Sequence, residues 1–66
     1  MEKTLVRVWF YNIDSEYHWK NLYLTEDVPT IDWARTLYDG NNSPEFFEIL
    51  GTINVDDDAN MVKINE

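Results

Sequence analysis

The sequence predicts an α+β fold: a small antiparallel sheet, formed by an N-terminal hairpin plus one or two C-terminal strands, packed by a helix or helical hairpin. Three observations point there. Residues 4–11 and 17–25 alternate side-chain character at the two-residue period of strands, with turn chemistry between them. Residues 31–50 carry apolar side chains at helical spacing behind two capping sequences. Residues 52–55 and 61–65 return to short strand-like runs. At 66 residues the chain makes one domain, spanning 1–66.

The elements follow in order. In the first strand Val6, Val8 and Phe10 share one face, and Leu5, Arg7, Trp9 and Tyr11 share the other. Asn12-Ile13-Asp14-Ser15-Glu16 is a turn, because Asn, Asp and Ser side chains bond the nearby backbone. In the second strand Tyr17, Trp19 and Tyr23 alternate with His18, Lys20, Leu22 and Leu24. Val28-Pro29 breaks the pattern. Thr30 then caps a helix starting at Ile31, and Asp32 sits favourably in its first turn. Ile31, Ala34, Leu37 and Tyr38 form its apolar stripe, which Trp33 widens, and Gly40 stops it. After Asn41-Asn42, Ser43-Pro44-Glu45 predicts a second helical start. Phe46, Phe47, Ile49 and Leu50 would be its buried face and Gly51 its end. A third strand at 52–55, an acidic turn at Asp56-Asp57-Asp58-Ala59-Asn60 and a fourth strand at 61–65 complete the reading.

Charge and composition bound the function. Thirteen acids against five bases give a net charge of −8. Residues 1–25 balance, with Glu2, Asp14 and Glu16 against Lys3, Arg7 and Lys20. From residue 26 onward ten acids face only Arg35 and Lys63, so the whole excess lies there. Such a field steers a basic partner and disfavours nucleic acid and anionic membrane, although acidity also serves solubility. Without cysteine there is neither a disulfide nor a thiolate for zinc. The opening Met1-Glu2-Lys3-Thr4 does not read as a signal peptide, and no apolar run approaches the roughly 20 residues that span a bilayer. The expectation is a soluble protein of a reducing cytoplasm. Ten aromatic rings are more than one small core readily hides, and Trp and Tyr dominate binding hot spots.

No catalytic set emerges, so the chain reads as a binding protein and not an enzyme. His18 is the only histidine, and turn or cap roles account for Ser15 and Ser43. Asp56, Asp58 and Asn60 imitate the start of a calcium loop, but Met61 stands where that loop requires glycine. No metal or cofactor is called for. RNA stacking would have rings in Trp9, Tyr11, Tyr17, Trp19 and Tyr23, yet few bases accompany them.

Several segments resemble the Dmd-like antitoxins of T-even phages. These are Met1-Glu2, the strand Leu5-Val6-Arg7-Val8, the turn at Asp14-Ser15, Lys20, the pair Glu26-Asp27 and, most specifically, Trp33-Ala34-Arg35-Thr36-Leu37-Tyr38, with Asn42 nine positions after Trp33. The likeness covers roughly the first two-thirds of the chain. Gly40, Ser43 and Pro44 interrupt a segment that runs as one helix in that family. The resemblance implies a phage protein in the cytoplasm of the infected bacterial host. It would bind an endoribonuclease toxin of the RnlA/LsoA kind and occlude its active site. Trp33 and Asn42 match family positions that contact the toxin. With Asp32, Tyr38 and Asp39 beside them they make the candidate partner-binding set. Trp33 can equally pack helix onto sheet, and Asn42 reads more readily as a left-handed or capping turn residue than as a contact. The alternative function is an acidic nucleic-acid mimic that inhibits another host defence nuclease, such as a restriction or CRISPR system.

Overall fold

The computed structural model describes residues 2–55 and, as backbone only, 61–65. The fold is mostly β: strands β1 (Glu2–Asn12), β2 (Tyr17–Thr25), β3 (Pro44–Asn54) and β4 (Met61–Asn65), with one short helix, α1 (Ile31–Ala34). The strands form a single sheet in the order β3-β1-β2-β4, antiparallel at every step. The small antiparallel sheet is therefore present, and the helical content is less than expected.

The β1–β2 hairpin keeps an unbroken register from Thr4↔Thr25 to Asn12↔Tyr17. Its turn works through Asn12, whose Oδ1 accepts the amides of Asp14 (2.9 Å) and Ser15 (3.1 Å). Glu16 closes the loop at φ 52°, the left-handed conformation that turns the chain into β2. The alternation then decides what is buried. Val6, Val8 and Phe10 lose all exposure and form the centre of the core with Tyr23, Trp33, Ala34 and Leu37. Burying each such aliphatic or aromatic side chain stabilises by about 1.5–3 kcal/mol. Phe10 also stacks on Trp19, at 5.6 Å between centroids.

The segment that follows β2 is where the structure corrects the prediction. Thr30 does cap α1, its hydroxyl accepting the Trp33 amide at 3.2 Å. The helix lasts only four residues. After Ala34 the bonds tighten to the three-residue kind, Thr36 to Trp33 and Leu37 to Ala34, both 3.0 Å. The Thr36 hydroxyl also bonds the Trp33 carbonyl at 2.7 Å, competing for the acceptor that a continuing helix would use. Ile31 and Tyr38, placed on the apolar stripe by the longer helix, are exposed.

The second helix does not form at all. Pro44–Asn54 is an edge strand paired with β1. Two bulges disguise it: Glu45 is skipped between Trp9↔Phe46 and Phe10↔Pro44, and Leu50 between Leu5↔Gly51 and Val6↔Ile49. Each extra residue breaks the two-residue period, so the apolar positions 46, 47, 49, 50 and 53 imitate helical spacing. Pairing bonds the outer backbone of β1 and also sets Phe47, opposite Val8, against the core and edge to face with Trp33. The acidic turn and the calcium-like residues Asp56, Asp58 and Asn60 lie outside the described residues. Among the described residues no helix is long and apolar enough to cross a membrane.

Candidate functional site

The five residues proposed as contacts occupy three different environments. Trp33 is 8% exposed and meets Tyr23 and Phe47 edge to face, at 6.3 and 6.1 Å. In this structure its ring packs the core. Asp32 and Tyr38 are exposed, with Asp32 lying 3.8 Å from Arg35 across the helical turn. Asp39 and Asn42 are half-buried and belong to one tight turn.

That turn is built by reciprocal backbone bonds between Asp39 and Asn42, each 3.1 Å, with Gly40 at φ 65° between them. Asn42 adds a side-chain bond to the Asp39 carbonyl at 3.3 Å. The Asp39 carboxylate reaches across to β2, where its Oδ2 accepts Trp19 Nε1 at 2.7 Å and Asn21 Nδ2 at 3.0 Å. Asp39 thus clasps the crossover to the sheet. The set therefore divides into a core ring, a clasping turn and two exposed side chains.

The face of the sheet opposite the core carries a second group, in cross-strand rows. One row runs Lys20–Trp9–Phe46: the ammonium lies 5.2 Å from the Trp9 ring, and Trp9 stacks on Phe46 at 5.6 Å. Beside it Tyr11 stacks on His18 at 4.3 Å. In a third row Arg7 bonds Glu48 at 3.0 Å, and Trp9 Nε1 donates to the same oxygen at 3.4 Å. The Arg7 bond, then the Trp9 bond, lower the Glu48 pKa below its usual value. Because Trp9 already carries a neighbour on each face, it offers no free platform to a nucleic-acid base. His18 approaches Glu45 at 3.8 Å, and both side chains are open to solvent.

No family model, curated protein or solved structure matches the chain.

The third group, missed by reading the sequence, lies along β3. Phe46, Ile49, Leu50 and Ile53 are 51, 57, 41 and 41% exposed. The helical expectation had assigned the first three to a buried face. Next to them a cleft of about 210 Å³ opens between α1 and the start of β3, lined by Ile31, Ala34, Arg35, Pro44, Glu45 and Phe46. It is smaller than the roughly 300–1,000 Å³ typical of small-molecule sites, and suits a single inserted side chain. Among the described residues no group of His, Asp and Glu is arranged to hold a metal ion. Among the described residues the surface offers apolar contact, carboxylates and a strand edge, that of β3, with no strand beside it.

Proposed function

We propose that the chain is a non-catalytic inhibitor that binds a basic protein and covers its working surface. The specific form, suggested by the resemblance to Dmd-like antitoxins, is a phage protein that occludes a bacterial endoribonuclease toxin in the cytoplasm of the infected host. One observation carries the general reading. The segment 26–48 holds six carboxylates (Glu26, Asp27, Asp32, Asp39, Glu45 and Glu48) and one base, Arg35; all but Asp39 are exposed, and of the exposed five Glu48 is bonded to Arg7 of β1 while Asp32 lies 3.8 Å from Arg35. A nuclease cleft is basic because it holds phosphates, so such a surface complements it and speeds encounter. Exposed Phe46, Ile49 and Tyr38 supply the apolar contact that charge alone lacks.

Co-expression with RnlA-type toxins tests the specific form. The expected result is rescued bacterial growth and co-purification of toxin with the chain. Failure of both across several such toxins would remove the antitoxin proposal. The burial of Trp33 favours a second reading, since it withdraws the aromatic anchor and leaves carboxylates a larger role. A nucleic-acid mimic would compete with DNA and lose affinity steeply with salt, whereas an apolar anchor tolerates salt.

A further inference from the structure

Strand β3 ends the sheet, and among the described residues no strand pairs with its outer side. It spans eleven residues, and four of its apolar side chains are exposed. Exposed edges usually carry defences against pairing. Here they are Pro44, the two bulges and the carboxylates of Glu45 and Glu48. None closes the apolar stretch completely. The bulge residues Glu45 and Leu50 leave Phe46-Phe47-Glu48-Ile49 as an uninterrupted piece of strand. The charges also discriminate. A second copy would bring another net charge of −8 against an edge strand that has acids and no base. A basic strand meets attraction at the same place.

We propose that the outer edge of β3 accepts an extended segment of a partner protein that alternates basic and apolar residues, adding it to the sheet as a fifth strand. The rows across the sheet specify its chemistry. The Lys20–Trp9–Phe46 row ends at Phe46, whose outward side takes an apolar or cationic neighbour. The Arg7–Glu48 row ends at Glu48, where Arg7 and Trp9 both bond Oε1 and, among the described residues, none donates to Oε2, which can accept from an incoming arginine or lysine. On the core-side face Ile49, paired with Val6, asks for an apolar neighbour. The cleft beside Phe46 receives one anchoring side chain from the residue that enters or leaves the edge. Main-chain bonds give affinity and these neighbours give sequence preference. The inference gives a binding mode to the inhibitor proposed above. It would stand for another basic partner too.

The test uses the full chain and a fluorescent peptide of about ten residues alternating arginine and valine, a normal strand length. One control replaces arginine with glutamate. A second keeps the sequence but methylates alternate backbone amides, which removes the bonds a strand must make. Anisotropy should show binding of the first peptide and at least about tenfold weaker binding of both controls, a hot-spot-sized effect. Amide shifts in NMR should concentrate on residues 45–54. Phe46→Lys and Ile49→Lys should each weaken the peptide about fivefold or more with an unchanged circular dichroism spectrum, whereas Tyr17→Lys, another exposed ring, should not. Equal binding of the methylated peptide, shifts centred elsewhere, no binding, or self-association through β3 would each overturn the proposal. Toxin rescue separates the two claims. If Phe46→Lys and Ile49→Lys still rescue, the edge is not the contact although inhibition stands. If the native chain binds the peptide but rescues nothing, the edge stands and the antitoxin reading falls.

Discussion

The two strands that flank β1 differ in almost every respect. β2 joins it through a tight turn, in unbroken register, and contributes Tyr23, Leu24 and Thr25 to the interior. β3 joins it after a long crossover, with two bulges, and leaves most of its apolar side chains outside. The hairpin side has balanced charge, and the chain after it is acidic. Stability is thus concentrated on one flank and available surface on the other. A small domain can combine the two because β1 needs its outer backbone bonded, not its neighbour's side chains buried.

Substitutions can break this division. Trp33→Ala should have the largest effect, a loss of about 3–5 kcal/mol in urea unfolding, comparable to the whole stability of a domain this small. Normal stability with weakened partner binding would instead make Trp33 a contact and erase the distinction. Asp39→Ala removes the acceptor of Trp19 and Asn21 and should cost about 2–3 kcal/mol. Asp39→Asn, which keeps an oxygen, should cost less, and Trp19 fluorescence should report the difference. Thr30→Ala loses the cap of α1 and should cost about 1 kcal/mol. On the other flank Phe46→Ser should cost less than about 1.5 kcal/mol, because the Trp9 stack is exposed. The smallest effect concerns pH. The folded-state pKa of Glu48 lies below its unfolded value near 4.5, so its contribution is present above that value. It disappears as pH falls through the lower folded value. Glu48→Gln should therefore remove a slight part of the acid sensitivity of folding below about pH 4.5, leaving stability at pH 7 almost unchanged in slope.

The sequence carried the hairpin plainly, because Val6, Val8 and Phe10 alternate in β1, the β1–β2 register is unbroken and Asn12 supplies the turn; the end of β2 departs from the period, with Tyr23, Leu24 and Thr25 all buried. Thr30 marked the start of α1 correctly. Its end was hidden, since the Asp39 clasp on Trp19 joins positions 20 residues apart that no local pattern links, while Thr36, three residues from the Trp33 carbonyl it takes, is a weaker local signal than the apolar stripe around it. β3 was disguised by its bulges. Ser43-Pro44-Glu45 is a fair helical start by itself, and only pairing with β1 outweighs it. The candidate set came from resemblance and charge, neither of which distinguishes a ring inside from a ring outside. Trp33 and Phe46 look alike as letters, and the fold puts the first in the core and the second at the rim.

The strand order also sets a schedule. The first of the described strands lies between the second and the third, and its outer edge waits for a partner that is complete only at Asn54, 29 residues after β2 ends at Thr25 and the hairpin can close. At ribosomal rates of about 5–20 residues per second that interval is roughly 1.5–6 s. The hairpin itself forms in about 1–10 μs. For nearly all of that interval the nascent chain presents β1 as an unfinished edge, so the protein meets its surroundings as a bare hairpin before it meets them as a sheet.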